Sequence, residues 1–130
     1  MSLLSIVKNY LRDIEQGMSG DELKKYYSPH VEQIEFPNRL SPRGNTRDLS
    51  ALMQGSENGK RVLSKQSLEI TKAYEAGNTV IIEAEWRGTL ALPLGQIPIG
   101  GEMNANFAQF YEFEARKIVR QRNYDCFADF

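Results

Sequence analysis

The sequence predicts an α+β fold in which helices pack on one face of a strongly curved antiparallel sheet. Two patterns predict it. Apolar residues recur at helical spacing in the first half of the chain, and from Arg61 onward apolar and polar residues alternate as they do in strands. The predicted order, two helices, one strand, a third helix and then four strands, is typical of α+β layers. A small curved sheet can enclose a cavity, and a ligand would bind there.

The first two helices are predicted from apolar spacing and from residues that begin or end helices. Ser2 can cap a first helix that Gly17 is placed to end. Its apolar face comprises Leu3, Ile6, Val7, Tyr10, Leu11 and Ile14. Asp21 to Tyr27 is predicted as a short second helix, which Pro29 stops. Its inner side consists of Leu23, Tyr26 and Tyr27.

A strand, a loop and a third helix follow. Residues His30 to Phe36 alternate and predict a strand that Pro37 closes. The segment Asn38 to Asn45 predicts a loop because Pro and Gly interrupt it. Thr46 is then expected to cap a helix that runs to about Gly55 and carries Leu49, Leu52 and Met53.

The remaining chain predicts four strands. Apolar residues at every second position mark the first two, with Leu68, Ile70, Tyr74, Val80, Ile82, Ala84 and Trp86 as members. A hairpin turn at Ala76-Gly77-Asn78 joins them, and Leu92 to Gly101 reads as a long connection. One face of the next strand comprises Met103, Ala105, Phe107, Gln109, Tyr111 and Phe113. The turn Glu114 to Lys117 leads into the final strand.

Composition excludes several function classes. The 130 residues suit one domain, and 41% hydrophobic with 25% charged residues is typical of soluble globular proteins. A net charge of -1 without a run of Lys or Arg argues against nucleic-acid binding. One His and one Cys leave no internal disulfide and no metal site, and no cofactor is expected. The N-terminal residues Met1 to Tyr10 predict no leader peptide, and no membrane span is expected. We therefore expect a cytoplasmic protein.

The final strand has two different faces. Val119, Gln121, Asn123, Asp125 and Phe127 share one, and Ile118, Arg120, Arg122, Tyr124 and Cys126 share the other. The first set mixes apolar residues with two amides and a carboxylate, as a strand lining a ligand pocket does. A half-buried strand whose polar side chains meet water has the same spacing, so both interpretations stay open.

A family resemblance rests on two segments and on the order of elements. The segments are Phe113 to Asp125 (FEARKIVRQRNYD) and His30 to Pro37 (HVEQIEFP). Together they resemble the nuclear transport factor 2-like superfamily and, within it, the SnoaL-like (polyketide cyclase-like) branch. The resemblance implies one domain over residues 1–130, a cone-shaped sheet capped by N-terminal helices, a pocket inside the cone and a homodimer. The family includes isomerases, cyclases, dehydratases, epoxide hydrolases and binding modules, so fold alone does not assign chemistry.

The known chemistries of that superfamily can be tested against individual residues. Ketosteroid isomerases combine a helix tyrosine, which Tyr10 matches, with an aspartate base before a proline and a protonated aspartic acid. Here Phe36 precedes the proline, and the protonated acid would fall near Ala108 or Gln109, so this chemistry is not expected.

Two further chemistries concern the final strand. The acid/base aspartate of SnoaL-type cyclases corresponds to Asn123, with Asp125 two residues further on. An epoxide hydrolase would need two carboxylates bridged by an arginine. Arg87 and Arg39 could approach Asp125, but Arg87 shares a face with Glu83 and Glu85 and is expected outside.

The candidate site follows from these patterns. Asp125 and His30 are the candidate catalytic residues, and the candidate ligand-pocket residues are Tyr10, Tyr26, Trp86, Gln109, Gln121 and Asn123. His30 would have to point inward with Glu32, Ile34 and Phe36; otherwise it is a surface residue. Trp86 can stack on a ligand or belong to the core. The two glutamines either bond each other or bond a ligand.

Two hypotheses about function follow: a module that binds a small hydrophobic or aromatic molecule, or an enzyme of cyclase, isomerase or dehydratase type. The role of Asp125 depends on the turn at Ala115-Arg116, where relatives commonly have Asp-Gly. Without Gly, the turn must avoid positive φ or accept strain, and this decides whether Asp125 faces inward. Homodimerisation is expected through apolar residues of the sheet, Ile81, Ile118, Phe110 and Tyr124.

Overall fold

The computed structural model describes residues 2–130, so Met1, at the start of the segment expected to contain no leader peptide, lies outside the described residues. These residues form three helices and six strands: α1 (Leu3–Glu15), α2 (Asp21–Lys24), β1 (Tyr27–Glu35), β2 (Asn45–Arg47), α3 (Leu49–Val62), β3 (Leu63–Ala76), β4 (Thr79–Leu90), β5 (Glu102–Glu114) and β6 (Lys117–Phe127). Within residues 2–130 no helix is both long and apolar enough to cross a membrane. The predicted α+β class is confirmed.

The strands form one sheet in the order β2-β1-β6-β5-β4-β3. Strands β3 to β6 are a continuous antiparallel meander, as predicted. Strand β1 differs from the expectation, because it runs parallel to β6 and antiparallel only to β2. No tight hairpin joins β1 to β6, so chain connectivity does not impose an antiparallel pair.

The sheet is curved by irregularities in four places. Pairing shifts within β3 occur between Leu63 and Lys65 and again between Ile70 and Lys72. Further shifts lie in β1 and between β5 and β6. Each bulge bends its strand and increases the twist. The helices lie on the inner side of the curve, where α1 packs on β3 and α3 on β1. The core between them includes Val7, Val80, Ile82, Tyr111 and Ile118.

The prediction for α1 is confirmed at both ends. The Ser2 side chain accepts a hydrogen bond from the Ser5 backbone N–H at 3.1 Å, and the helix ends at Glu15 before Gly17, whose φ is +82°. The second helix is shorter than predicted, because Tyr27 already belongs to β1. Pro29 lies inside β1 rather than before it. The pairing of β1 with β6 is interrupted between Tyr27 and Glu32, so the missing N–H of proline breaks no bond of the ladder.

The predicted start of the third helix at Thr46 was wrong. Thr46 lies in β2 and pairs with Ile34, and the cap is Asp48, which accepts from the Ala51 N–H at 2.9 Å. The helix continues past Gly55 to Val62. Gly55 does not end it because its φ is not positive, and glycine stops a helix mainly by adopting the left-handed conformation.

The turn between β5 and β6 is strained, because two residues other than glycine adopt positive φ. Ala115 and Arg116 have φ of 49° and 62°, and Glu114 pairs directly with Lys117. The tight two-residue hairpin is therefore kept without glycine. Two positions with φ > 0 are the geometry that a type I′ hairpin requires.

A bulge close to this turn corrects one face assignment. Phe113 pairs with Ile118 and Glu112 with Arg120, so Val119 is the extra residue on β6. Beyond it Gln121, Asn123 and Asp125 alternate inward as predicted. Before it the alternation is reversed, and Ile118 is fully buried in the core. The expected place of Ile118 on a dimer surface was wrong for this reason.

Candidate functional site

The polar residues of the inner sheet face lie in adjacent rows across three strands. Gln33 of β1 pairs with Gln121 of β6, which pairs with Tyr111 of β5. In the next row Asn123 pairs with Gln109. Paired positions project to the same side of a sheet, so these side chains lie together inside the cone. All five are buried despite their polar atoms.

The predicted amides are held by hydrogen bonds within this cluster. Gln121 Nε2 donates to Asn123 Oδ1 at 3.0 Å, and the Tyr111 hydroxyl donates to Gln109 Oε1. The sequence left open whether Gln109 and Gln121 bond each other. In the structure they do not, because each is bonded to another side chain. The second polar atom of Gln121, Oε1, is buried with no hydrogen-bond partner among residues 2–130. A buried acceptor without a partner is costly, which marks this strand as more than core.

Three buried tyrosines pack together beside these amides. Tyr10 forms edge-to-face contacts with Tyr27 and Tyr111, at ring distances of 5.6 and 6.1 Å. Burial raises the pKa of Tyr10 to about 12, although hydrogen bonding with Tyr27 and Gln121 opposes the rise. Burial also raises the pKa of Tyr27 and Tyr111 well above the ordinary value. All three hydroxyls are therefore neutral at physiological pH.

Asp125 faces inward one row beyond Asn123 and pairs with Phe107. Its Oδ1 atom is buried and has no hydrogen-bond partner among the described residues. Burial, followed by repulsion from Glu35, raises the pKa of Asp125 to about 7, and the Arg47 guanidinium opposes the rise. Near neutral pH this carboxyl is therefore about half protonated. Such a group can act as either an acid or a base.

Arg47 and Glu35 belong to the site, although neither was predicted from sequence. Arg47 Nη1 donates to Gln33 Oε1 at 3.2 Å, and Nη2 lies 2.8 Å from Glu35 Oε1. Glu35 Oε2 also accepts from Asn38 Nδ2 at 2.7 Å. The arginine near Asp125 is therefore Arg47, whereas Arg87 is exposed, as expected, and Arg39 forms a surface ion pair with Asp129.

A cavity of about 570 Å³ opens between α1, α3 and the start of β3. Its apolar walls include Ile14, Met18, Leu23, Leu52, Met53 and Leu63. Polar groups at its inner end are Tyr10, Tyr27, Gln33 and Arg47, and Glu15, Lys60, Lys65 and Gln66 also line it. The cavity thus reaches the cluster through Gln33, which pairs with Gln121, and through Tyr10, whose ring contacts Tyr111.

Trp86 lies at the other end of the inner face. Its Nε1 donates to Gln66 Oε1 at 2.9 Å, and its ring stacks on Phe107 at 5.6 Å. The indole ring also packs against Gly88 of the same strand, where a Cβ atom would come within 2.6 Å of the ring. Trp86 is therefore a packed core residue whose one polar atom is bonded to a side chain that lines the cavity.

The structure places two predicted site residues elsewhere. His30 is exposed on the outer side of β1, because Val31 and Gln33 are the buried residues with which it alternates. Tyr26 donates to Asp13 Oδ2 at 2.5 Å and lies beside a separate shallow groove with Lys25 and Lys117. Burial and the Asp13 carboxylate raise the pKa of Tyr26 to about 12. Neither residue lies with Asp125 and the amides.

Among residues 2–130, no group of three or more His, Cys, Asp or Glu side chains is placed to hold a metal ion. The donor set of the inner face consists of amides and hydroxyls with two carboxylates and a guanidinium. A neutral organic ligand matches such a set better than a cation does.

Comparisons with known proteins support the fold. No protein-family model and no curated protein matches the sequence. Solved structures do match. IdmH of Streptomyces antibioticus, a proposed polyketide cyclase, is 14% identical over 96% of this chain and 92% of that chain, with a TM-score of 0.78.

Two further structures have the same architecture. A SnoaL-like polyketide cyclase of Agrobacterium tumefaciens is 18% identical over 96% of this chain and 91% of that chain, with a TM-score of 0.73. A protein of Catenulispora acidiphila with a ketosteroid isomerase-like fold, solved in complex with trimethylamine, is 18% identical, covers 92% and 83%, and has a TM-score of 0.72. The chain therefore has the fold of the nuclear transport factor 2-like superfamily, in the form found in SnoaL-like polyketide cyclases.

Proposed function

We propose that this protein binds a small, mostly apolar or aromatic molecule inside the cone. The observation that carries the proposal is the cavity of about 570 Å³ with apolar walls and a polar inner end. Ligand pockets commonly have volumes of about 300 to 1,000 Å³ and combine apolar walls with a few polar groups that orient the ligand. The Tyr10 hydroxyl and the Gln66 amide, which both line the cavity, are the orienting groups in this proposal.

Gly59 offers a way to close the cavity without disturbing the core. It lies in α3, lines the cavity, and has no atom within 4 Å of the place where a Cβ would stand. In Gly59→Phe the ring enters the opening, whereas Gly59→Ala leaves it open and favours the helix. Calorimetric titration with the neutral probe 2-naphthamide is expected to show binding to the wild type and to Gly59→Ala, and binding at least about tenfold weaker to Gly59→Phe.

Equal binding of 2-naphthamide by both variants would place the ligand elsewhere. Circular dichroism and thermal unfolding of the two variants provide the folding control, since both substitutions are made at one helical position. A wild type that binds no probe of this class would count against the proposed ligand class.

We propose acid/base catalysis by Asp125 as the second candidate function. The specific observation in its favour is a buried, unpartnered carboxyl oxygen on a group whose pKa is raised to about 7. Perturbed carboxyl groups of this kind are concentrated at active sites. Asn123 and Tyr10 would then polarise the substrate. For any turnover found in a substrate screen, Asp125→Asn is expected to abolish the reaction, and unchanged turnover would exclude Asp125 from the mechanism.

We further propose that the protein is a homodimer joined through an apolar outer patch. This patch consists of Tyr74, Ile81, Phe110, Tyr124 and Phe36. Tyr74 and Tyr124 are 52% and 41% exposed, and the Tyr124 ring stacks on Phe36 at 4.5 Å. Contiguous exposed apolar patches usually mark interaction surfaces. A sedimentation mass close to the monomer mass of 14.8 kDa at micromolar concentration would contradict this proposal.

A cytoplasmic location is likewise proposed. Cys126, the one cysteine of the sequence, is free and exposed, which suits a reducing compartment. Fractionation of the cells that produce the protein tests this directly, and recovery in an oxidising compartment would contradict it.

A further inference from the structure

We propose that the ligand carries one anionic group, which is held at the mouth of the cavity while the apolar body lies inside. This inference rests on the proposed binding function and specifies the chemical class of the ligand. The anion can be a carboxylate, a sulfonate or a phosphate ester, because these groups present the same charge and acceptor oxygens.

Two cations at the mouth have no carboxylate partner. Lys60 in the last turn of α3 and Lys65 at the start of β3 both line the cavity and are exposed. Neither forms a salt bridge within residues 2–130. Arg61 adds a third positive charge between them, and residues 58–68 contain no Asp or Glu. The junction of α3 and β3 therefore carries three positive charges that form no salt bridge within residues 2–130.

The acidic groups nearby are already engaged. Glu15, which lines the same cavity, accepts from the Leu68 backbone N–H at 2.9 Å. Glu57 accepts from the Ser19 hydroxyl at 2.7 Å. The Glu15 and Glu57 carboxylates still carry their charges, yet together they offset at most two of the three cations. The field at the mouth therefore favours an anion.

Gln66 supplies matching hydrogen-bond donors. Its Oε1 accepts from Trp86, so the group it can offer to a ligand is the Nε2 amide, which donates. Gln66 lies next to Lys65 in the sequence and lines the cavity. An anion at this place would meet both the Lys65 charge and the hydrogen-bond donors of Gln66.

The interior argues for an anion at the mouth rather than at the inner end. The cation of the inner end, Arg47, is already paired with Glu35 at 2.8 Å. The walls formed by Ile14, Leu52 and Met53 offer no charge at all. Burying an unpaired anion against them would cost several kcal/mol or more, so the charged group stays where solvent and lysines meet it.

An isosteric pair of probes tests the inference. Binding of 2-naphthoate and of the neutral 2-naphthamide is measured by calorimetry at a pH of about 8, where the acid is ionised. We expect the wild type to bind 2-naphthoate about five- to tenfold more tightly than the amide, since each exposed cation contributes up to about fivefold. In Lys60→Gln/Lys65→Gln this preference is lost, and about 0.5 M salt also reduces it.

The charge-matched control is Lys8→Gln/Lys72→Gln, which removes two exposed lysines that do not line the cavity. It is expected to keep the preference for 2-naphthoate. Equal affinities for both probes in the wild type, or a preference that survives in the Lys60/Lys65 variant, would overturn the inference. Amide binding that Gly59→Phe abolishes would support the proposed function even then. If neither probe binds the wild type, both proposals are wrong.

Discussion

Each of the two faces of strands β5 and β6 includes some residues of the kind usually found on the opposite face. On the inner face Gln109, Gln121 and Asn123 are buried, at 7%, 2% and 8% exposure. On the outer face Tyr124 is 41% exposed, and Phe110 contacts it edge to face at 5.7 Å. Stability alone favours apolar groups inside and polar groups outside. Both faces therefore depart from what folding requires.

The two departures have different energetic consequences. Inside, an unpartnered oxygen on Gln121 and a raised carboxyl pKa on Asp125 lower the stability of the free protein. Outside, exposed aromatic rings cost little in the monomer but favour association. The inner face thus has the features of a ligand site and the outer face those of a protein interface.

The largest expected effect concerns Asp125 and tests the inner face. It is a change in the free energy of unfolding with pH. Its folded pKa of about 7 lies above the unfolded value near 3.8. The unfolded chain therefore releases its proton first as pH rises, so the stability contributed by the protonated form is complete below about pH 4 and is lost as pH approaches 7. Relative to wild type, Asp125→Asn should gain stability at high pH, by about 4 kcal/mol at most.

Urea unfolding at pH values of about 4.5 and 8.5 measures this difference. Asp129→Asn, at an exposed position beyond β6, controls for the loss of a carboxylate. If Asp125→Asn changes stability equally at both pH values, Asp125 is not perturbed in the folded state.

The next effect tests the outer face. Tyr124→Glu places a charge in the centre of the outer patch, where two copies would bring like charges together. We expect the dimer to weaken by about 2 kcal/mol or more, while the fold is retained because the position is exposed. Leu92→Glu is the control, since Leu92 is 49% exposed on the connection after β4 and lies outside the patch. Sedimentation equilibrium distinguishes the outcomes, and a dimer of unchanged strength in Tyr124→Glu would remove the outer patch as the interface.

The smallest effect concerns the turn at Ala115-Arg116, which sets the pairing of β5 with β6 and therefore which side chains face inward. Ala115 has a φ of 49°, a conformation that costs a residue with a Cβ about 1 kcal/mol and glycine almost nothing. Ala115→Gly should therefore stabilise the protein by about 0.5 kcal/mol, after the greater freedom of glycine in the unfolded chain is deducted. The same change at Ala51 in α3 should destabilise by about 0.5 to 1 kcal/mol. Two changes of equal sign would mean that the turn is not strained.

Much of the fold follows from local patterns in the sequence. Ser2, Gly17 and the turn at Gly77 were placed correctly because each acts on its immediate neighbours. The inward position of Gln109 and Gln121 also followed from alternation along long strands. Caps, turns and the alternation of residues along a strand can be predicted without knowledge of distant contacts.

The sequence-based predictions were wrong or incomplete where a bulge or pairing with a distant strand determines the position of a side chain. The bulge at Val119 reverses the alternation and buries Ile118, and no residue type at that position indicates it. Arg47 was missed because β2 has three residues, too few for a visible alternation, and forms only by pairing with β1. His30 is a catalytic candidate only if it faces inward with Glu32, and the spacing of β1 leaves its face open; the structure exposes both residues and buries Val31 and Gln33.

The parallel pairing of β1 with β6 has a consequence for how the molecule folds. Tyr27 pairs with Ile118, so the two strands are joined only after nearly the whole intervening sequence has been brought together. Contacts between such distant segments form slowly, because a large loop must close first. Gln33, Glu35 and Arg47 can therefore meet Asn123 and Asp125 only in the last steps of folding. During synthesis on the ribosome, the antiparallel strands can pair earlier, whereas the inner site becomes complete only when the last of the six strands emerges.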